Sequence, residues 1–218
     1  MIVKVISSAI LGIESYAIDV EVDITRGLPQ FSTVGLPDTA VRESKDRIKA
    51  AIKNSGYSFP KNRVTVNLSP ADIKKEGTSF DLPIAISILT AEGLVEKENI
   101  GRYMIIGELS LDGSIKGVQG ILSASLLTKR QGLRGIIVPR ENASEAAMVD
   151  SIDVIPVDYL HHVVEFLNGI KHIQPLEIDD RHFFTQALST TDDFADVSGQ
   201  DQAKRALEIA AAGGHNIL

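Results

Sequence analysis

Two periodicities alternate along residues 1–170, and that alternation restricts the fold more than any other feature of the chain. Short runs with every second residue apolar mark half-buried strands. Longer runs with apolar residues three and four apart mark helices with one buried face. Strands are expected at 2–8, 16–24, 28–36 and 63–68. Val41, Ile48, Ala51 and Ile52 recur at helical spacing between Asp38, a capping residue, and Gly56, which predicts a helix over 39–54. Gly77-Thr78-Ser79-Phe80-Asp81-Leu82-Pro83 opens a second helix, which runs to about Ala91, with Pro83 in its first turn, where a missing N–H costs least. Met104 to Leu111 reads as a strand. Asp112-Gly113 reads as a type I′ turn with positive φ at both residues, and Ser114 to Val118 as the return strand. A helix to about Gln131, a strand at 135–139, a short helix at 141–149, a strand at 153–157 and a helix capped by Asp158 complete the unit.

The pattern changes at residue 171. Residues 171–194 are polar and mixed and read as a linker. A new unit covers 195–218: Val197-Ser198-Gly199-Gln200, a helix from about Asp201 to Ala212, Gly213-Gly214, and His215-Asn216-Ile217-Leu218 as the start of a buried strand. A strand beginning at the last residue suggests an element cut short.

Composition narrows the chemistry. At 44% hydrophobic the chain can bury a core, and with 5% aromatics and no Trp that core is built from Ile, Val, Leu and Ala. The absence of Cys excludes disulfides, thiolate zinc sites and a cysteine nucleophile, and fits a reducing cytoplasm. No apolar run approaches the ~20 residues needed to span a bilayer. The N-terminus lacks the layout of a secretory signal, so a cytoplasmic protein with no membrane partner is expected. A net charge of −7 opposes a domain that coats nucleic acid by charge alone. A local basic row remains: Arg42, Lys45, Lys49 and Lys53 share one helix face. It reads either as a contact to a DNA backbone or as a solvated face with Glu43 and Asp46 as local partners. The solvated face is preferred. Adjacent His161 and His162 diverge on a helix, and His172 and His182 lie in or near the linker, so no metal-ligand spacing emerges.

The densest motif lies between residues 76 and 142. Glu76-Gly77-Thr78-Ser79 precedes a helix. Gly107-Glu108-Leu109-Ser110-Leu111-Asp112-Gly113, Val118-Gln119-Gly120-Ile121-Leu122 and Gly135-Ile136-Ile137-Val138-Pro139-Arg140-Glu141-Asn142 follow. Over about 70 residues this resembles the proteolytic domain of Lon proteases, in which a serine at a helix start is activated by a lysine. The resemblance places Ser79 on the nucleophile position and Leu122 on the lysine position. Leucine cannot take the serine proton, and a serine hydroxyl without a base is a weak nucleophile. Lys129 is seven residues further on, roughly 10 Å along a helix axis. Phe80 would crowd a peptide carbonyl. Ser79 is therefore expected to be a helix N-cap rather than a nucleophile. Asp72, Glu76, Asp81 and Glu108 either gather around the Ser79 turn or scatter over the surface, and scattering is the commoner outcome.

A second resemblance covers nearly the whole chain. Val34-Gly35-Leu36-Pro37-Asp38-Thr39-Ala40-Val41-Arg42-Glu43-Ser44 and Val66-Asn67-Leu68-Ser69-Pro70-Ala71-Asp72 resemble the YifB/ComM family of magnesium-chelatase-related AAA+ ATPases. Phe194 to Gln200, the helix after it, and Gly213 to Leu218 resemble the opening of the AAA+ module. The resemblance implies an α+β fold of the ribosomal S5 domain 2-like type, as in the Lon proteolytic domain, with helices packed on a mixed sheet. It implies that the full-length protein is a ring, a hexamer, which uses ATP and Mg2+ and acts on DNA in natural transformation and branch migration. This region would be its non-proteolytic accessory or assembly module. The chain contains no Gly-x-x-x-x-Gly-Lys-Ser/Thr loop to hold phosphates, so it is not expected to bind ATP well or to be catalytic itself. Val197, Gly199 and Gln200 would line the adenine end of a nucleotide pocket, or simply start a helix. Two other functions compete: a chelatase-like motor for metal insertion, and a peptidase built on Ser79.

Overall fold

The computed structural model describes residues 2–177 and 193–217. The chain falls into two compact units, Met1–Ile178 and Asp179–Leu218. In the first, β1 (Val3–Leu11) and β2 (Glu14–Thr25) form an antiparallel hairpin closed at Gly12-Ile13, with Leu11 opposite Glu14. After β3 (Gln30–Val34), α1 (Thr39–Asn54) crosses over to β4 (Arg63–Ser69), which runs parallel to β3 and antiparallel to β2. Then come α2 (Asp81–Ala91), α3 (Lys97–Ile100), β5 (Tyr103–Ile105), the small hairpin β6 (Glu108–Leu109) and β7 (Ile115–Lys116), α4 (Ile121–Arg130), β8 (Gly135–Pro139), α5 (Ala143–Ala146), β9 (Asp153–Val157) and α6 (Leu160–Leu167).

The main sheet has seven strands in the order β3-β4-β2-β1-β5-β8-β9. Its β1–β5, β5–β8 and β8–β9 pairs are parallel. The fold is thus mixed α/β with a mostly parallel sheet, and helices cover both of its faces instead of segregating as an α+β fold would have them. The residue pattern explains the two coverings. In β4 only Val64, Val66 and Leu68 are buried, so one face is filled. In β8 all five residues are buried, as expected of a parallel strand covered on both sides. Ile105, Ile137 and Ile155 join the larger core with α1, α2 and α6. Their strand neighbours Met104, Ile136, Val138 and Val154 join a second core with Ile121, Ala124 and Leu127 of α4 and Ala143 and Ala146 of α5.

Helix α2 is the centre of the larger core. Every residue from Asp81 to Thr90 is buried, the pattern of a helix with no solvent face. Its hydroxyls are satisfied within the helix: Ser87 Oγ donates to the Pro83 carbonyl and Thr90 Oγ1 to that of Ile86, both at 2.8 Å.

Several local expectations are corrected. The β6–β7 loop is not type I′, because Asp112 does not adopt positive φ. Ser110 pairs with Ser114, and Gly113 alone is left-handed (φ 86°), which is the geometry of a three-residue hairpin loop. Helix α6 starts after Tyr159, not Asp158, whose carboxylate is drawn instead to Arg140 at 2.7 Å. His161 and His162 do not diverge: their rings meet edge-on at 4.5 Å, both against Tyr159.

In the second unit a short 3-10 turn, Phe194–Asp196, precedes α7 (Asp201–Gly213). Residues 215–217 form no strand. The His215 N–H turns back to the Ala210 carbonyl at 2.9 Å as part of the helix end. The linker expectation over 178–192, His182 and Leu218 lie outside the described residues. No helix among the described residues is long and apolar enough to cross a membrane.

Candidate functional site

The C-terminal end of β1, the loop before α2, the segment after β5 and the first turn of α4 enclose a cavity of about 660 Å³. It lies where β1 and β5 run parallel as sheet neighbours. Ser8, Ala9 and Ile10 form one wall, Ile106, Val118, Ile121 and Ala124 another, and Asp38, Glu76, Thr78, Ser79, Glu108 and Gln119 supply its polar groups.

Backbone hydrogen bonds hold the Ser79 turn in place. The Gly107 N–H donates to the Ser79 carbonyl at 3.1 Å, and the Leu82 N–H donates to the Gly107 carbonyl at 3.0 Å. Thr78 Oγ1 donates to Glu108. Gly107 is a glycine for a packing reason: a Cβ there would stand 2.9 Å from Ile115 Cγ2. On the other side Asp38 accepts from the Val41 N–H at 2.8 Å, capping α1 as expected, and from the Gly77 N–H at 3.2 Å. One carboxylate thus starts a helix and shapes the cavity rim.

Ser79 is not the N-cap of α2. The helix starts at Asp81, its N-cap is Phe80, and no side chain caps it. Ser79 lines the cavity instead. Leu122 does not: it is 37% exposed, its N–H donates to Glu145 Oε1 at 2.8 Å, and Ile121 and Ala124 are the α4 residues on the cavity wall. The groups that share the cavity with Ser79 are carboxylates, amides, hydroxyls and hydrocarbon. No lysine or histidine lines it among the described residues. A carboxylate pair, Glu76 and Glu108, does gather at the Ser79 turn, while Asp72 stays outside.

Asp81 sits beneath the turn and is 1% exposed. It accepts from Arg47 Nε at 2.9 Å and from the Leu109 N–H at 3.4 Å, tying α1, α2 and β6 together. Burial pushes its carboxyl up to about 6 against the opposing pull of the Arg47 guanidinium. Sequence reasoning missed Arg47 and the second contact of Asp38, to Gly77, because each joins residues far apart along the chain. Lys75 is also fully buried, and its ammonium donates to the Pro70 carbonyl. Burial lowers its pKa from the ordinary lysine value. Its backbone bonds Leu36 and Asp38, stapling the loop after β3 to the loop before α2.

The basic row is exposed along α1. Lys45, Lys49 and Lys53, but not Arg42, line a separate groove of about 290 Å³ with Phe31, Phe59 and Lys61. Among the described residues neither Glu43 nor Asp46 forms an ion pair with them. In the second unit, Gly199 and Gln200 are both left-handed (φ 69° and 59°) just before α7. The Val197 carbonyl accepts from Lys204 Nζ. These residues are exposed. Among the described residues no group of His, Asp and Glu is placed to hold a metal ion.

Residues 20–142, more than half of the chain, match a protein family described as "Subunit ChlI of Mg-chelatase". Residues 193–218 match one described as "Magnesium chelatase, subunit ChlI". The chain is 44% identical over 212 residues to protein YifB of Salmonella typhimurium, covering 96% of this chain and 40% of that protein. It is 40% identical over 216 residues to "Competence protein ComM" of Haemophilus influenzae, covering 98% of this chain and 42% of that protein. A more distant similarity, 28% over 156 residues, links 66% of the chain to 20% of a Lon protease of Aster yellows witches'-broom phytoplasma. The chain spans about 40% of the length of the YifB and ComM proteins it matches. With similarity at this level across nearly its whole length, the chain belongs to the YifB/ComM family of Mg-chelatase-related proteins.

Proposed function

We propose that this chain is the non-proteolytic, Lon-like part of an AAA+ ATPase that acts on DNA, with a fold of the ribosomal S5 domain 2-like type. The observation that carries the reading is the similarity to ComM over 98% of the chain, joined to a cavity in which, among the described residues, neither a lysine nor a histidine stands with Ser79. A hydroxyl needs a proton acceptor within hydrogen-bond reach to attack a peptide. The groups beside Ser79 are carboxylates that bind Thr78 or frame the rim, and apolar residues from α4. The domain serves assembly or partner contact in a homo-oligomeric ring of the full-length cytoplasmic protein. ATP and Mg2+ belong to that protein's AAA+ module, and Val197, Gly199 and Gln200 would lie at the edge of its nucleotide pocket.

The test is the ATPase rate of the full-length protein with and without single-stranded and branched DNA. Stimulation by either supports the motor reading, and a rate indifferent to both opposes it. The Mg-chelatase names of the matching families favour one alternative, a motor for metal insertion into a tetrapyrrole. That reading requires stimulation by a tetrapyrrole-binding partner in the same assay.

A further inference from the structure

We infer that the groove between α1 and the start of β4 is a contact site for single-stranded nucleic acid. Lys45, Lys49 and Lys53 recur every four residues along α1, so their stems are spaced about 6 Å apart along its axis. Lys61 stands in the loop that leads into β4, and all four line the groove. None of these lysines is engaged in an ion pair or hydrogen bond among the described residues. In a chain of net charge −7 this is a local excess of free cations. Glu43 and Asp46 lie on the same helix, but neither lines the groove.

Aromatic residues lie beside this row. Phe31 of β3 and Phe59 stand with ring centroids 6.4 Å apart and planes inclined by 32°. Both are half-buried: each packs on the core and also lines the groove. Gln30 and Asn62 add amide groups at the same place. Lysines following a backbone beside aromatic faces match the chemistry of an unpaired strand, whose phosphates meet the amines while a splayed base stacks on a ring. A duplex keeps its bases stacked inside and could use only the lysines. The choice of nucleic acid over other polyanions rests on the function proposed above together with the rings.

The test is fluorescence anisotropy of this chain with a fluorescein-labelled oligothymidylate between about 50 and 200 mM salt. The triple variant Lys45→Ala/Lys49→Ala/Lys53→Ala should bind at least about tenfold more weakly. It should also lower the slope of log K against log salt by roughly 2, about 0.7 for each lysine. Phe59→Leu keeps the apolar packing and loses the flat face, so it should weaken binding about fivefold without changing the slope. Lys129→Ala/Arg130→Ala on α4 removes charge elsewhere and should change neither. Four outcomes overturn the inference: no binding at the lowest salt, an equal loss in the α4 variant, an unaffected Phe59→Leu, or binding of duplex or polyglutamate as tight as that of the single strand. DNA stimulation of the full-length ATPase is a separate readout. If stimulation persists while this chain fails to bind oligothymidylate, only the groove assignment fails. If stimulation is absent while the chain binds, only the motor reading does.

Discussion

Asp81 ties stability to pH. Its folded pKa, about 6, is raised above the ordinary carboxylate value of 3.8. The folded state therefore holds this proton more tightly than the unfolded chain does. The stability it contributes is fully present below pH 3.8 and is lost as pH rises through about 6. Roughly two pKa units correspond to a loss on the order of 3 kcal/mol. Asp81→Asn keeps an acceptor for the Leu109 N–H and does not titrate. Urea midpoints measured from pH 4 to 7 should show the natural protein falling relative to this variant as pH rises; parallel pH profiles would remove Asp81 as the cause. Arg47→Ala should cost about 2–4 kcal/mol at pH 7, because the buried carboxylate loses its cation, and should recover towards pH 5. Lys75 has the opposite character. Its ammonium is buried with a carbonyl acceptor, so Lys75→Met, which keeps the volume, should be nearly neutral, whereas Lys75→Ala should cost about 2–3 kcal/mol in the same denaturation assay.

At the scale of elements, one close approach and the rotation of one helix set the geometry. Gly35 follows β3 at φ 96°, and a Cβ there would lie 2.1 Å from the Leu68 carbonyl oxygen of β4. Gly56, after α1, has φ 87° with open space around it. Gly56→Ala should therefore cost only the left-handed strain, about 1–2 kcal/mol. Gly35→Ala adds a backbone clash and should cost at least about twice that, read as the drop in urea midpoint. The rotation of α4 is the second determinant. It turns Ile121 and Ala124 to the cavity and leaves Leu122 partly exposed. Leu122→Lys should consequently add an amine outside the cavity and confer no peptidase activity. Labelling of Ser79 in that variant by a serine-reactive probe would contradict the placement.

For the molecule as a whole, nucleotide binding turns on whether a phosphate loop stands beside the turn before α7. The turn at Val197–Gln200 is exposed, and the 218-residue sequence contains no Gly-x-x-x-x-Gly-Lys-Ser/Thr loop. Calorimetric titration of this chain with ATP and Mg2+ should give no measurable heat of binding; tight binding would mean that another part of the chain forms the cradle.

Most elements were legible because they depend on local patterning. Asp38 before Val41, Gly56 after α1, the alternation in β4 and the five-residue apolar run of β8 each report burial over a few neighbours. The family was legible too, in contiguous stretches such as Val34–Ser44 and Val66–Asp72. Four features depended on contacts between distant segments: Arg47 on Asp81, Thr78 on Glu108, Arg140 drawing Asp158 away from a cap, and Phe31 and Phe59 beside the lysines of α1. A local pattern says which face of an element is apolar. Only packing the elements decides what that face meets, which turned Ser79 from an expected cap into a cavity residue and a row of surface lysines into one wall of a groove.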